Sequence, residues 1–246
     1  MIIIKNDKEI DLMRIAGRIV AETLLLVEKE VRPGITTAEL DRIAEEFITK
    51  HGAKPSFKGL YGFPASLCIS VNEQVVHGIP GGYVLKEGDI ISVDCGANIN
   101  GFHGDAARTF AVGNISEEAK RLIKVTEESF FKGLEFAKVG NKLTHEIQRY
   151  VEVSGFSVVR EFVGHGIGKS VHEDPEVPNF GRPGRGPKLV AGMALAIEPM
   201  VNMGTYRVAT LGDDWTVVSA DKSLSAHYEN TVVILPDGPE ILTLIK

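Results

Sequence analysis

Asn6-x-x-Glu9 is a capping-box signature, and behind it Ile10, Met13, Gly17, Val20, Leu24 and Val27 recur at spacings of three and four. That spacing predicts one face of a long helix, stopped at Pro33-Gly34. Thr36-x-x-Glu39 opens a second helix with Leu40, Ile43 and Phe47 inward and Gly52 as its stop. Short strand-like runs follow, "SLCISV", "DIISVDCG" and "DAARTFAVG". Ser116 with Glu117 and Glu118 starts a third helix through about Ala137. A fourth is expected from about Leu143 to Val153, with Ser154-Gly155 ending it. The runs "FSVVREF", "MALAIEPMV", "WTVVSA" and "YENTVVIL" predict further strands. Residues 181–188, "GRPGRGPK", read as a surface loop, and no phosphate cradle is expected there because no Gly-Lys-Ser/Thr follows.

The order of helices then strands occurs twice, which points to an internal repeat. "LKEGDIISVD" (85–94) aligns with "LVAGMALAIE" (189–198), and "HGIP" (77–80) resembles "HGIG" (165–168). Asp94 then falls opposite Glu198, and His77 opposite His165. A two-fold-related α+β domain would bring those four side chains to one central cleft. No Pro- or Ser-rich linker divides the chain, so a single domain over 1–246 is expected, with halves of about 5–112 and 116–235. Antiparallel pairing is expected rather than a doubly wound parallel sheet, because the hairpin signals are strong.

One hairpin carries chemistry. In "ISVDCGANINGFHGDAARTF" (91–110) the turn is "NING", Asn98 to Gly101, with its midpoint between Ile99 and Asn100. That register sets Asp94 directly across from Asp105 on one face, their Cβ atoms about 5 Å apart. Like charges so placed destabilise the hairpin unless a divalent cation or a shared proton lies between them. A solvated hairpin face is the plain alternative for the pair alone. Further acid and imidazole residues sit at strand ends: His165 in a glycine frame, His172 seven residues on, Glu198 before Pro199, Glu229 and His77. A buried, isolated carboxylate is costly and calls for a metal or a partner. Four carboxylates and one imidazole, Asp94, Asp105, His165, Glu198 and Glu229, are too many donors for one ion and suit two. Oxygen-rich donors favour Mn, Fe(II) or Co over a thiolate-type structural zinc. A two-metal site activates a bridging water and clamps a tetrahedral intermediate, which is hydrolysis machinery.

Composition narrows the classes. The chain has 246 residues, 43% hydrophobic and 24% charged, with a net charge of −6. That balance argues against nucleic-acid wrapping, and no apolar run approaches the length of a membrane span. The N-terminal run has the wrong flanks for a signal peptide. Cys68 and Cys95 form no Cys-x-x-Cys pair, so a reducing cytoplasm is the expected compartment.

The motifs "SVNEQVVHGIP", "GDIISVDCGANINGFHGDAARTF", "FVGHGIGKSVHEDPEVPN", "MALAIEPM" and "SAHYENT" together resemble the methionine aminopeptidases of the shorter, bacterial-type (type I) class, over nearly the whole chain. The resemblance implies the pita-bread fold, an antiparallel sheet with a pseudo-two-fold repeat and two helix pairs on one face. It implies removal of the initiator methionine from nascent chains when the second residue is small and uncharged. Asp94 would chelate one divalent ion, His165 and Glu198 the other, and Asp105 and Glu229 would bridge them. The candidate ions are Co, Mn and Fe(II), with Zn and Ni behind them. Glu198 would help deprotonate the bridging water, and His77 and His172 would position the peptide and stabilise the oxyanion. Cys68, Tyr61, Phe63 and Trp215 are the candidate methionine-pocket walls, polarizable surfaces suited to a thioether. A monovalent cation, Na or K, is implied near Asn72 and Ser225. The chain departs from the family pattern near Phe57, where a cysteine is expected, and near Leu60, where a tyrosine is. His103 and His227 receive no ligand role and are placed beyond the donor set or at the surface; His51 and His145 are expected in solvent on helices. The expected partners are peptides and nascent chains with N-terminal Met, with transient ribosome contact a candidate, and the chain is expected to be monomeric.

Competing readings stay on the same fold. Proline-specific aminopeptidases and prolidases carry a large N-terminal domain, for which a catalytic-type helix beginning by residue 7 leaves no room. Metal-free peptide-binding members and creatine-type hydrolases lose the ligands that this chain retains. The longer eukaryotic-type class needs a helical insert, for which the short spacing between Glu198 and Glu229 leaves no room.

Overall fold

The computed structural model describes residues 1–141 and 145–245. Helices α1 (Asp7–Glu30) and α2 (Thr37–Lys50) are followed by β1 (Lys54–Pro55), β2 (Leu67–Val71), β3 (Gln74–Val76), β4 (Ile90–Ile99) and β5 (Phe102–Ala111). Helices α3 (Glu117–Leu134) and α4 (Glu146–Val153) lead into β6 (Ser157–Val158), β7 (Gly164–Gly166), β8 (Glu173–Val177), β9 (Ala194–Ile197) and β10 (Met200–Asn202). The chain ends with β11 (Val208–Thr210), β12 (Val217–Ser219), β13 (Ser225–His227), β14 (Asn230–Leu235) and β15 (Gly238–Ile241).

Both predicted capping boxes form. The Asn6 side chain accepts the Glu9 N–H while Glu9 accepts the Asn6 N–H, and Thr36 and Glu39 repeat the exchange. The apolar stripe of α1 is buried as its spacing requires: Ile19, Val20, Leu24 and Val27 pack with α2 against β2, β4 and β5. On α2 the inward face is Leu40, Ala44 and Ile48. Ile43 and Phe47, expected inside, are only half-buried; the Phe47 ring lies against His51 at 4.1 Å instead. A second core joins Leu122, Phe130, Ile147 and Val151 of α3 and α4 to Leu195, Ile197, Val232 and Ile234. Each helix pair therefore covers its own set of strands. The fourth helix is described from Glu146; its expected start near Leu143 lies outside the described residues.

All strand pairs among the described residues are antiparallel, but they form four ladders of four, three, three and five strands rather than one sheet. Two expected strands are shorter or broken. Of "FSVVREF" only Ser157–Val158 pairs, and "MALAIEPMV" splits into β9 and β10 at Glu198-Pro199. Pro199 has no N–H to give to a ladder. The register nevertheless runs on across the break: Ile197 pairs with Asn230, the Tyr228 N–H donates to Pro199 O, and Met200 pairs with His227. Glu198 and Glu229 thus face each other at a shared interruption.

The hairpin register differs from expectation by one step. The two-residue loop is Asn100-Gly101, both with positive φ (53° and 81°), the backbone that Asn-Gly supplies for a type I′ turn. Asp94 therefore pairs with Ala107, and Asp105 with Gly96. The correction moves each partner by two positions, which preserves the face, so the two aspartates are diagonal neighbours rather than direct partners. Strand β5 is also stitched to the last strands. Ala107 and Glu229 exchange backbone hydrogen bonds at 2.9 and 3.3 Å. On either side, the Thr231 hydroxyl bridges the Asp105 backbone and the Thr109 hydroxyl bridges the His227 backbone.

Candidate active site and metal centre

These registers build the site row by row. One row runs Cys68, Asp94, Ala107, Glu229 and, across the interruption, Glu198. The adjacent row runs Gly96, Asp105, Thr231, Ala196 and His165. Opposed residues of antiparallel strands share a face, and rows two residues apart share it too. The five expected donors therefore converge, spaced by alanine, glycine and threonine, which leave room between them. Asp105, His165 and Glu229 present donor atoms within 4.8 Å of one another. His165 Nε2 lies 3.6 Å from Glu198 Oε1, and the His165 Nδ1 is bonded to Gly166 O at 2.8 Å. That second bond orients the ring so that Nε2 faces the cluster as an acceptor.

The cluster floors a cavity of about 790 Å³. Every expected peptide-contacting residue lines it: Tyr61, Phe63, Cys68, His77, His172 and Trp215. Phe63 meets Trp215 edge-on at 5.1 Å, and Tyr61, largely exposed at the mouth, stacks on His172 at 6.0 Å. His172 in turn packs edge-on against His165 at 4.5 Å. Phe57 and Leu60, near which a cysteine and a tyrosine were expected, also line the wall. Asn72 and Ser225 are neighbours, the Ser225 N–H donating to Asn72 O at 2.9 Å, away from this cavity.

Burial dominates the electrostatics. It pushes the Asp94 carboxyl up to about 7. Burial, then the neighbouring carboxylates, hold Asp105, Glu198 and Glu229 well above the usual range. Among the described residues, no lysine or arginine side chain pairs with any of the four. Asp94 Oδ1, Asp105 Oδ1 and Glu229 Oε1 are buried without a hydrogen-bond partner. Orphaned, converging, acceptor-only oxygens with an oriented imidazole are what a pair of divalent cations would satisfy, so the donor set fits such ions. Burial also depresses the imidazoles, His77 and His165 to about 4, and keeps His172 below its ordinary value, so all three are neutral at neutral pH. The Cys68 thiol is pushed far up by burial and the nearby acids, and is an uncharged wall rather than a nucleophile.

A model of metallopeptidase family M24 matches residues 11–236. The chain belongs to metallopeptidase family M24. Among M24 relatives it is 77% identical to the methionine aminopeptidase of Clostridium perfringens, over the full length of both. Its structure is similar to the crystal structure of methionine aminopeptidase from Thermotoga maritima, with a TM-score of 0.98, 46% identity and complete coverage of both chains. A prolidase from Pyrococcus furiosus shares the fold at TM-score 0.81 and 24% identity, and the match covers 66% of that chain.

Several residues of this M24 site carried no assignment from sequence. His227, placed beyond the donor set or at the surface, is 2% exposed and its Nε2 points at Glu198 and Glu229. His103 is half-buried and bonds Ser56 and Asn98. Asn179, fully buried, donates to Glu198 O at 2.9 Å. Its place directly after "HEDPEVP" is the sequence signal that could have flagged it. Arg108 lies behind the cluster, over the Tyr228 ring, and donates to Ala107 O, Glu229 O and Asn230 Oδ1. Its guanidinium closes the back of the seam between β5 and the last strands. Arg108→Met is expected to cost about 2 kcal/mol in a urea titration, because charge-assisted hydrogen bonds to three acceptors are lost, although each acceptor keeps a second donor in the Ala107–Glu229 backbone pair or the Thr243 hydroxyl. A loss below about 0.5 kcal/mol would show that the backbone pair and the Thr243 hydroxyl satisfy these acceptors without the guanidinium.

Proposed function

We propose that the chain removes N-terminal methionine from peptides and nascent proteins, as a dinuclear-metal aminopeptidase. The observation that carries this is the joining of a five-donor cluster to an apolar cavity wall of Phe63, Cys68 and Trp215. Asp94 would hold one ion, His165 and Glu198 the other, with Asp105 and Glu229 shared; Co, Mn and Fe(II) are the leading candidates, then Zn and Ni. When bound, the pair supplies Lewis acidity and lowers the pKa of water. The protein's own groups do the rest. Glu198, at the interruption between β9 and β10, accepts a proton at its carboxylate. His77 and His172 are neutral and reach the cavity, so each can donate an N–H to a developing oxyanion without carrying charge into the ground state. The aromatic and thiol wall receives the methionine thioether by dispersion. A small, uncharged second residue is the proposed requirement.

The same reading proposes one catalytic domain built of two repeated halves, a monomer acting in the cytoplasm, transient ribosome contact, and Na or K near Asn72 and Ser225. Among the described residues no helix is long and apolar enough to cross a membrane.

The test is cleavage of Met-Ala-Ser, Met-Leu-Ser, Ala-Pro-Ser and Gly-Pro after chelation and with Mn, Fe(II) or Co restored. Metal-dependent release of methionine from Met-Ala-Ser alone is expected. Cleavage confined to the proline substrates would assign the chain to the prolidase branch of the fold. In a parallel experiment, His172→Ala should lower kcat about a hundredfold, the typical loss for one oxyanion donor, with metal content unchanged by elemental analysis. Loss of metal in that variant would make His172 a ligand instead.

A further inference from the structure

We propose that His227 is a sixth donor to the metal pair, adding a second imidazole nitrogen on the side of Glu198 away from His165. The proposal rests on the dinuclear reading above and goes beyond its five donors. Glu198 lies between two imidazoles: Oε1 is 3.6 Å from His165 Nε2 and Oε2 is 3.7 Å from His227 Nε2. Glu229 Oε2 is 3.9 Å from the same His227 nitrogen. These separations are too long for hydrogen bonds. They are the spacings of donors that share an ion about 2.1 Å from each. By distance, His227 stands to Glu198 as His165 does.

Burial supports the assignment. His227 Nε2 is buried with no hydrogen-bond partner among the described residues, as are oxygens of Asp94, Asp105 and Glu229. Glu198, His227 and Glu229 bring donor atoms within 4.8 Å of one another, and Glu229 belongs also to the group with Asp105 and His165. The backbone that carries the ring is held on both sides. The His227 N–H donates to the Thr109 hydroxyl, which itself donates to His227 O, and the residue pairs with Met200 across β10. A second imidazole moves selectivity toward ions late in the Irving–Williams order and away from Mn.

The test uses the full chain loaded with Co(II), in proton NMR and in metal titration. The native protein is expected to show two strongly hyperfine-shifted, solvent-exchangeable imidazole N–H signals, one for each ligating histidine. His227→Gln, which fills similar space, is expected to keep one signal, to bind Co(II) at least tenfold more weakly and to bind Mn(II) within about threefold of native. A single shifted signal in the native protein overturns the proposal whether or not the variant folds. Unchanged Co(II) affinity in a folded His227→Gln overturns it as well. A native chain that takes up no Co(II) would overturn the dinuclear reading itself, so the two failures are distinct.

Discussion

Asp94→Asn, reconstituted with Co(II) or Mn(II), is expected to cleave Met-Ala-Ser about a thousandfold more slowly than the native chain and to retain one equivalent of metal in place of two. The magnitude follows from the several kcal/mol of charge stabilisation that a catalytic ion contributes, at about 1.4 kcal/mol per decade. The site explains why this one change acts so strongly. Asp94 stands in the row that also holds Glu229 and Glu198, and it is that row's donor from the first half of the chain, with Ala107 between it and Glu229. The fold is expected to survive. Asparagine has nearly the same shape, and in the metal-free protein the change removes one of four mutually repelling, buried carboxyl groups. The metal-free variant should therefore melt no lower than the metal-free native chain at pH 8. Full activity in the variant would end the two-ion assignment, whereas loss of activity with a collapsed melting curve would mean that Asp94 holds the fold.

In chelator, the native chain should lose stability as pH is raised from about 6.5 through 7, where the Asp94 carboxyl ionises, and saturating Co(II) or Mn(II) should abolish or reverse that slope. The sign comes from two opposed sets of groups. The buried carboxyls are raised, Asp94 to about 7, and Asp105, Glu198 and Glu229 well above their ordinary range. The folded chain thus keeps protons that the unfolded chain releases above about 4, and stability falls as pH rises through the folded values. The imidazoles are depressed, His77 and His165 to about 4 and His227 to about 3, so they add stability as pH climbs to about 6.5 and nothing beyond. Below about 6.5 the two sets oppose each other; above it the carboxyls act alone, joined above about 8.5 by the raised thiols of Cys68 and Cys95. Each proton held only by the folded chain is worth about 1.4 kcal/mol per pH unit. Bound cations require deprotonated donors and so remove the slope. Urea midpoints at pH 6.5, 7 and 7.5, with and without metal, measure it; a flat or rising metal-free profile would refute the buried-acid account.

What could be read in the sequence was mostly local. The two capping boxes and the apolar stripe of α1 are determined by residues within a few positions of one another, and they form as their spacing demands. The α2 stripe was read one position off, because Phe47 has an aromatic partner at the surface that spacing alone does not reveal. The hairpin face was legible from parity, while its pairing was not, since Asn100-Gly101 can turn the chain one residue later than the centre of "NING". The place of His227 was hidden for a different reason. Its alignment with Glu198 depends on a register that continues through the Glu198-Pro199 interruption, and nothing nearby in the chain announces that two separate ladders share it.

The stitch between β5 and the final strands also dictates an order of events. Asp105 to Thr231, Ala107 to Glu229 and Thr109 to His227 are contacts between residues more than a hundred positions apart. A growing chain that ends near residue 200 already contains Asp94, Asp105, His165 and Glu198, yet lacks Glu229 and the strand that aligns the others. On the proposed donor set, cation capture would consequently be a late event, following the docking of the two halves. Contacts made after the rate-limiting barrier slow unfolding without hastening folding. The ions would then act as a latch on a finished molecule, lengthening its lifetime, rather than as a nucleus around which it assembles.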